Sequence, residues 1–239
     1  MKAVIIGYGV MGHEVEKILS ERGHELLMTI DAGEEAKFGT ERFRQADVAI
    51  EFSTPATAFG NVAACLRAGV PVVSGTTGWN DHIPEAEQMC RELNGTFFHA
   101  SNFSIGVNIL FRVNACLAEL MERFPDYDVS MREVHHTRKK DAPSGTAITL
   151  AEGILSRLSR KHGWVNEAVN GGDRLGIESV REGDVAGIHE IRYESEADRI
   201  TLRHEAKGRR GFALGAVLAA EFTRTHHGVL GMDDLFGLK

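Results

Sequence analysis

The stretch AVIIGYGVMG, Ala3 to Gly12, decides how the rest of the chain is read. A short apolar run ending in glycine reads as a buried strand. Gly7, Gly9 and Gly12 then follow in G-x-G-x-x-G spacing where a helix begins. The first glycine permits a tight turn, the second lets backbone approach a pyrophosphate, and the third lets helix and strand pack closely. Tyr8, Val10 and Met11 complete the turn. The helix start adds free N–H groups and the positive end of its dipole. In MGHEVEKILSERG, Met11, Val15, Ile18 and Leu19 share one helical face, and Gly23 ends it. The next strand, ELLMTID, ends in Asp31, roughly 20 residues beyond the glycines, where a carboxylate accepts the ribose hydroxyls of NAD and repels the extra phosphate of NADP. A glycine turn alone is weak evidence; the strand before it and the acid after it make this a dinucleotide site.

The alternation continues. DVAIEFS, PVVSG and TFFHA read as strands, and PATAFGNVAACLRAG and PEAEQMCRELNG as helices, the first entered at Pro55 and left at Gly69. Strand and helix in turn predict a doubly wound parallel sheet. Ligands of such sheets lie beyond the carboxyl ends of the strands, which places Gly75, Thr76 and Thr77, and also Ala100, Ser101, Asn102 and Phe103, at the nicotinamide end. Each of these segments is also ordinary turn chemistry when taken alone.

Beyond residue 103 the pattern changes. IGVNILFRVNACLAELMERF is a long amphipathic helix. YDVSMREVHH alternates, with Tyr127, Val129, Met131, Glu133 and His135 on one side of a strand. AITLAEGILSRLSR is a helix, a Gly-rich loop surrounds Gly171 and Gly172, and GIHEIRYES and DRITLRHEAK are strand-like. The expectation is an α/β protein: a Rossmann-type domain over residues 1–103 plus 210–239, with the final helix returning to cover it, and an α+β domain with an open mixed sheet over residues 104–209.

The 239 residues are 43% hydrophobic and 26% charged, with a formal net charge of -7. This is ordinary globular composition and argues against nucleic acid as a partner. No apolar run approaches the ~18 residues of a membrane span. The opening apolar stretch is too short for a signal-peptide core. Cys65, Cys90 and Cys116 suit a reducing compartment and are expected as buried, unreactive thiols. A cytoplasmic protein is expected.

Against that acidic balance, EVHHTRKKDAPSGTA, Glu133 to Ala147, gathers two histidines, one arginine and two lysines into residues 135–140. Arg132 precedes them, and Ser144 or Thr146 can cap the helix that follows. Point charges beside a helix start make an anion site suited to a small dicarboxylate; a solvated basic loop is the plainer alternative. No metal is expected, since adjacent strand histidines point to opposite faces and no third ligand has a useful spacing.

EVHHTRKKDAPSGTA resembles the signature of the dihydrodipicolinate reductase (4-hydroxy-tetrahydrodipicolinate reductase) family of lysine and diaminopimelate biosynthesis. The glycine fingerprint, DVAIEFSTP, GTTGW, ASNFSIGVN, REGDVAGIHE and GFALGAV agree in order along nearly the whole chain. The resemblance implies a nicotinamide-dependent reductase of a cyclic dicarboxylate whose second domain also forms a homotetramer. It carries the acid role to His135, with Lys139 as second acid and charge stabiliser, and substrate contacts to His136, Gly145 and Thr146. It carries cofactor contacts to Gly7 through Gly12, Asp31, Gly75 to Thr77 and Ala100 to Phe103. The cations around His135 should push its pKa down, and a dianionic substrate should oppose that push. Lys140 and Arg138 carry no assigned role, and Arg209 is a weaker candidate for substrate. Many members have a basic residue after the acid that ends the second strand; here it is Ala32. NADH is therefore expected as the preferred donor with NADPH as the alternative, although Lys37, Arg42 or Arg44 could reach a 2'-phosphate from the loop. Rival readings are another nicotinamide-dependent dehydrogenase of a small dicarboxylate, an acyl-phosphate reductase, which would need an active-site cysteine, and an NADH-sensing repressor, which would need a DNA-binding module.

Overall fold

The computed structural model describes residues 1–169 and 171–237. In chain order, β1 (Lys2–Ile6), α1 (Val10–Glu21), β2 (Glu25–Ile30), α2 (Glu41–Arg44), β3 (Val48–Glu51), α3 (Pro55–Arg67), β4 (Val72–Ser74), α4 (Ile83–Glu92) and β5 (Thr96–His99) come first. Next are α5 (Ile105–Met121), β6 (Asp128–His135), α6 (Gly145–Leu155), β7 (Trp164–Val165), β8 (Leu175–Arg181), β9 (Ile188–Glu194) and β10 (Arg199–Glu205), and the chain closes with α7 (Arg210–Phe222), β11 (Gly228–Leu230) and α8 (Met232–Leu235). Two compact units result: Met1–Ser104 with Arg209–Lys239, and Ile105–Gly208.

The first unit is a six-stranded sheet in the order β11-β5-β4-β3-β1-β2, every pair parallel. Both faces are covered, so its strands are apolar without interruption. In β1, Val4 and Ile6 face the core under α3 and α4, while Ala3 and Ile5 face the other way. α1 and α7 pack on each other and on the sheet. Fully burying Ile5, Ile50 or Phe98 stabilises by roughly 1.5–3 kcal/mol each. The return of the final helix depends on a missing side chain: a Cβ on Gly215 would lie 1.8 Å from the Phe103 carbonyl oxygen. Arg22–Glu221 and Arg210–Glu21 pairs join α1 to α7 at its rim.

The second unit is a five-stranded mixed sheet in the order β10-β9-β6-β8-β7. β9 runs antiparallel to β6 and β10, and β8 runs parallel to β6 and β7. α5 and α6 pack together and cover one face, over Val129, Met131, Ile177, Ile191 and Tyr193. The opposite face carries Arg132, Glu178, Glu190, Arg192 and Arg203.

Several expectations need correcting. β8, β7 and β11 have no counterpart in the strand pattern read from the sequence. β11 is three residues long, too short to show a period. β8 contains Gly176, which weakens a strand signal. A Cβ there would stand 2.6 Å from the Val169 backbone nitrogen, so the glycine marks a close backbone approach. α5 and α6 stop at Met121 and Leu155, short of the apolar runs that predicted them. Cys116 is exposed, whereas Cys65 and Cys90 are buried, with burial raising both buried thiols above their ordinary pKa.

Candidate active site

In the first unit, the turn from β1 to α1 is shaped for a ligand. Gly7 has φ +85, and a Cβ on it would lie 2.1 Å from the Phe52 carbonyl oxygen. A Cβ on Gly12 would lie 2.6 Å from the Gly7 carbonyl. Gly9 differs: no described atom comes within 4 Å of where its Cβ would stand, so the backbone is open on that side. Among the described residues no side chain caps α1, and no acid occupies its first turn. Its first N–H groups therefore face an approaching anion unmatched by protein charge, as a pyrophosphate requires. A cleft of about 300 Å³ runs from Gly7 and Gly9 past Asp31 and Ala32 to Ser53 and Thr57. A second, more open one joins Gly9, Val10 and Met11 to Ser53, Gly75 and Thr76. These residues fit a dinucleotide.

The ribose end is acidic. Asp31 is exposed, Glu34 accepts the Asp31 N–H at 3.0 Å, and Glu35 lines the cleft. Of the three cations offered by the sequence, Lys37 and Arg42 are held by backbone carbonyls, whereas Arg44 is exposed. Lys37 Nζ donates to the Thr29 carbonyl at 2.9 Å and pairs with Glu34 at 2.6 Å. Arg42 donates to the Leu27 carbonyl at 2.7 Å, and Arg44 stands 3.9 Å from Glu41.

One residue of this cleft was not singled out from the sequence. Glu51 ends β3 with none of its surface exposed. Its Oε1 accepts from the Ser53 N–H at 3.0 Å, the Ser53 hydroxyl and the Thr76 hydroxyl at 2.8 Å, and its Oε2 from the Ser74 hydroxyl at 2.6 Å. It thus ties the loop after β3 to the loop after β4. Trp79 Nε1 fixes the Thr76 carbonyl at 2.8 Å, and Gly75 is bare because the Phe52 ring passes 2.2 Å from where its Cβ would be. Of Ala100 to Phe103, Phe103 is buried against Phe52 and Phe98, with its carbonyl against Gly215.

In the second unit, strand geometry assembles the polar cluster. Glu133 and His135 lie two apart on β6 and share a face. His189 on β9 sits opposite Glu133, and Arg181 on β8 sits opposite His135. Glu133 Oε2 is 3.4 Å from His135 Nδ1 and 3.8 Å from His189 Nε2, and Oε1 is 3.2 Å from Arg181 Nη2. The Ser144 N–H donates to both carboxylate oxygens, at 3.1 and 3.2 Å. Ser144 also caps α6, its hydroxyl accepting from the Ala147 N–H at 3.2 Å, which resolves the choice between Ser144 and Thr146. Gly145 begins the helix with no described atom within 4 Å of its Cβ position, and Thr146 follows it, half-buried.

The basic run divides. Arg138 is exposed and pairs with Asp184 at 2.7 Å, Arg132 pairs with Glu178 at 3.1 Å, and Lys140 is exposed. Lys139 Nζ is clasped by both oxygens of Asp141 at 2.8 Å, and Arg181 Nη2 donates to the Asp141 carbonyl at 2.5 Å. Only His135 is deeply buried, with His136 half-buried at the strand exit. Burial is the first cause that lowers the His135 pKa; Glu133 opposes it, and Lys139 and Arg181 add to it. The surrounding cations are therefore the lesser influence, contrary to expectation. His189 is pushed down to about 4 by burial and by His135. Burial raises the Glu133 pKa, but hydrogen bonding from Ser144 and the neighbouring His135 outweigh it and leave a carboxylate.

The sequence offered no third metal ligand, yet Glu133, His135 and His189 bring one ligand atom each within 4.8 Å of one another. His189 was invisible because only the β6–β9 register brings it there. Arg181 and the Ser144 N–H reach the same carboxylate, so a cation there would share Glu133 with a guanidinium.

A glycine cradle on an all-parallel sheet, with a cluster of histidine, lysine and carboxylate on a second sheet, defines a nicotinamide-dependent oxidoreductase. Residues 1–103 match the family described as dihydrodipicolinate reductase, N-terminus, and residues 106–236 match dihydrodipicolinate reductase, C-terminus. The 4-hydroxy-tetrahydrodipicolinate reductase of Christiangramia forsetii is 43% identical over 236 residues, covering 98% of this chain and 97% of that protein. The enzyme of the same name from Natronomonas pharaonis is 37% identical over 235 residues, covering 93% and 94%. Among solved structures, the dipicolinate-bound dihydrodipicolinate reductase from Paenisporosarcina sp. TG-14 superposes with a TM-score of 0.73 at 26% identity, covering 97% of each chain. The amine dehydrogenase from Mycobacterium smegmatis (TM-score 0.62, 11% identity) shares the fold alone. The chain belongs to the dihydrodipicolinate reductase family.

Proposed function

We propose that the protein reduces 4-hydroxy-tetrahydrodipicolinate to tetrahydrodipicolinate in lysine and diaminopimelate biosynthesis, with NADH as its preferred donor. The observation that carries this reading is the buried His135 with Lys139 beside an open, Ser144-capped helix start, in a chain of this family. The reduced nicotinamide, when bound, supplies the hydride. Residues Gly7 through Gly12 and the start of α1 receive the pyrophosphate, Asp31 the ribose, and Gly75 to Thr77 with the backbone of Ala100 to Phe103 the nicotinamide end. Gly145 and Thr146 bind a substrate carboxylate through backbone N–H and hydroxyl groups, and His136 contacts the ring. His135 donates the proton to the carbon beside the reduced centre. Lys139, as second acid, offsets negative charge developing on the ring, an electrostatic contribution of about 3 kcal/mol. The dipicolinate bound to the Paenisporosarcina enzyme supports a dicarboxylate as ligand.

Preference for NADH is supported by the acids around Asp31 and by the backbone carbonyls that hold Lys37 and Arg42. Residues 1–103 with 210–239 serve as the dinucleotide domain, and residues 104–209 as the substrate and tetramerisation domain. The homotetramer rests on the family resemblance. A cytoplasmic location fits this metabolism. Among the described residues, no helix is long and apolar enough to cross a membrane.

Steady-state oxidation of NADH and NADPH, with the product of dihydrodipicolinate synthase as substrate, tests the reading. kcat/KM should favour NADH, and Asp31→Ala should weaken NADH by about tenfold while sparing NADPH. A wild-type preference for NADPH, or equal losses for both donors, would remove the ribose assignment.

A further inference from the structure

Beneath the proton donor lies a carboxylate that the reductase reading leaves without a task. Glu133 is fully buried, and a carboxylate is retained in such a place only when its partners hold it. Those partners come from four segments: His135 on its own strand, Arg181 on β8, His189 on β9 and the Ser144 N–H at the start of α6. We propose that Glu133 is a positioning residue for the reduction: it keeps the His135 proton on Nδ1 in the neutral ring, leaving Nε2 to carry the transferred proton, and through Ser144 it locks that ring to the helix start that grips the substrate carboxylate. The inference rests on the reading of His135 as the acid.

The two ring nitrogens are not equivalent. Nδ1 is sealed from solvent and stands 3.4 Å from Glu133 Oε2, close for electrostatics but short of hydrogen-bond geometry, so a small ring rotation closes the bond. Nε2 passes the bare backbone of Gly187, where an added Cβ would lie 3.1 Å away, so no side chain there competes for its proton. A neutral imidazole bonded at Nδ1 to a carboxylate is a base at Nε2, and the cation formed there is held by the same carboxylate. The other charged groups around the ring are Lys139, Asp141, Arg181 and the neutral His189, with His204 facing His189 from β10. Lys139 and Arg181 drive the proton off His135, whereas Glu133 and Asp141 retain it, and Glu133 is the closer carboxylate on the ring's own strand.

The side-chain nitrogen spectrum of His135 in the full-length wild-type protein tests the tautomer without turnover. A protonated Nδ1 in the neutral ring is expected, and a protonated Nε2 overturns the proposal. Glu133→Gln tests the consequence. Turnover depends on protonated His135, so it falls as pH rises through the pKa of this residue. Without the carboxylate that fall moves to lower pH by about one unit or more, so kcat near pH 7.5 drops about tenfold or more while KM for NADH stays within twofold. An unmoved pH limb with lost thermal stability would leave Glu133 a merely structural residue and sink the idea. If Glu133→Gln does not fold, the wild-type spectrum still decides. If the wild-type protein fails to reduce the dicarboxylate, the functional reading falls, while the tautomer measurement stands by itself.

Discussion

Each unit buries one glutamate near the carboxyl end of a central strand, and the two are satisfied in different ways. Among the described residues, the hydrogen bonds reaching Glu51 come from hydroxyls and a backbone N–H. Glu133 has a guanidinium, two imidazoles and a backbone N–H around it. The first arrangement is a fixed knot between two loops, made with donors that carry no charge. The second is poised, because its neighbours gain and lose protons. A site that binds a ready-made reductant needs shape, whereas a site that delivers a proton needs adjustable charge. On the proposed roles, the same residue type serves both through its partners.

The sharpest way to break this division is at the donor. His135→Gln should lower kcat by about 10²–10⁴-fold with KM changed only a few-fold, because a transition-state proton is removed and not a ground-state contact. Unchanged turnover would end its role as acid. A smaller effect is expected at the knot. Glu51→Gln turns an amide N–H₂ toward a ring of donors and should cost about 2–3 kcal/mol in stability of the first unit. NADH affinity should weaken with it, while the pH dependence of kcat stays put, the reverse of Glu133→Gln. A shifted pH limb in Glu51→Gln would erase the contrast. The smallest effect concerns acid. His189 binds its proton near pH 4 in the folded protein against about 6.5 when unfolded, so the unfolded state holds more protons between those values. Stability is fully present above about pH 6.5 and is lost as pH falls toward 4, by about 2 kcal/mol at pH 5. Denaturant melts at pH 7 and 5 measure it, and His189→Gln should flatten the difference.

How much of this was legible in the sequence follows from the range of the interactions. The dinucleotide unit was readable because its signals are local: glycine spacing, two periodicities and an acid at a set distance. The basic run was visible, but its division was not. Arg132 and Arg138 turn to Glu178 and Asp184, partners that only folding brings near. Glu133 was placed on the right face of its strand, yet its role depends on a register with His189 and Arg181 that no local period encodes. Glu51 passed unremarked inside DVAIEFS, because a lone acid in an apolar run carries no pattern. β8 was hidden by Gly176, whose reason, the backbone of Val169, lies outside the strand.

The clasp between Lys139 and Asp141 makes the ammonium's resting partner part of its own loop. On the role proposed for Lys139, an incoming dianion exchanges with that tethered rival, so its net grip is a difference between two ion pairs. On the same proposal, the tether recaptures the ammonium as the product leaves, and so shortens the residence of a doubly charged molecule.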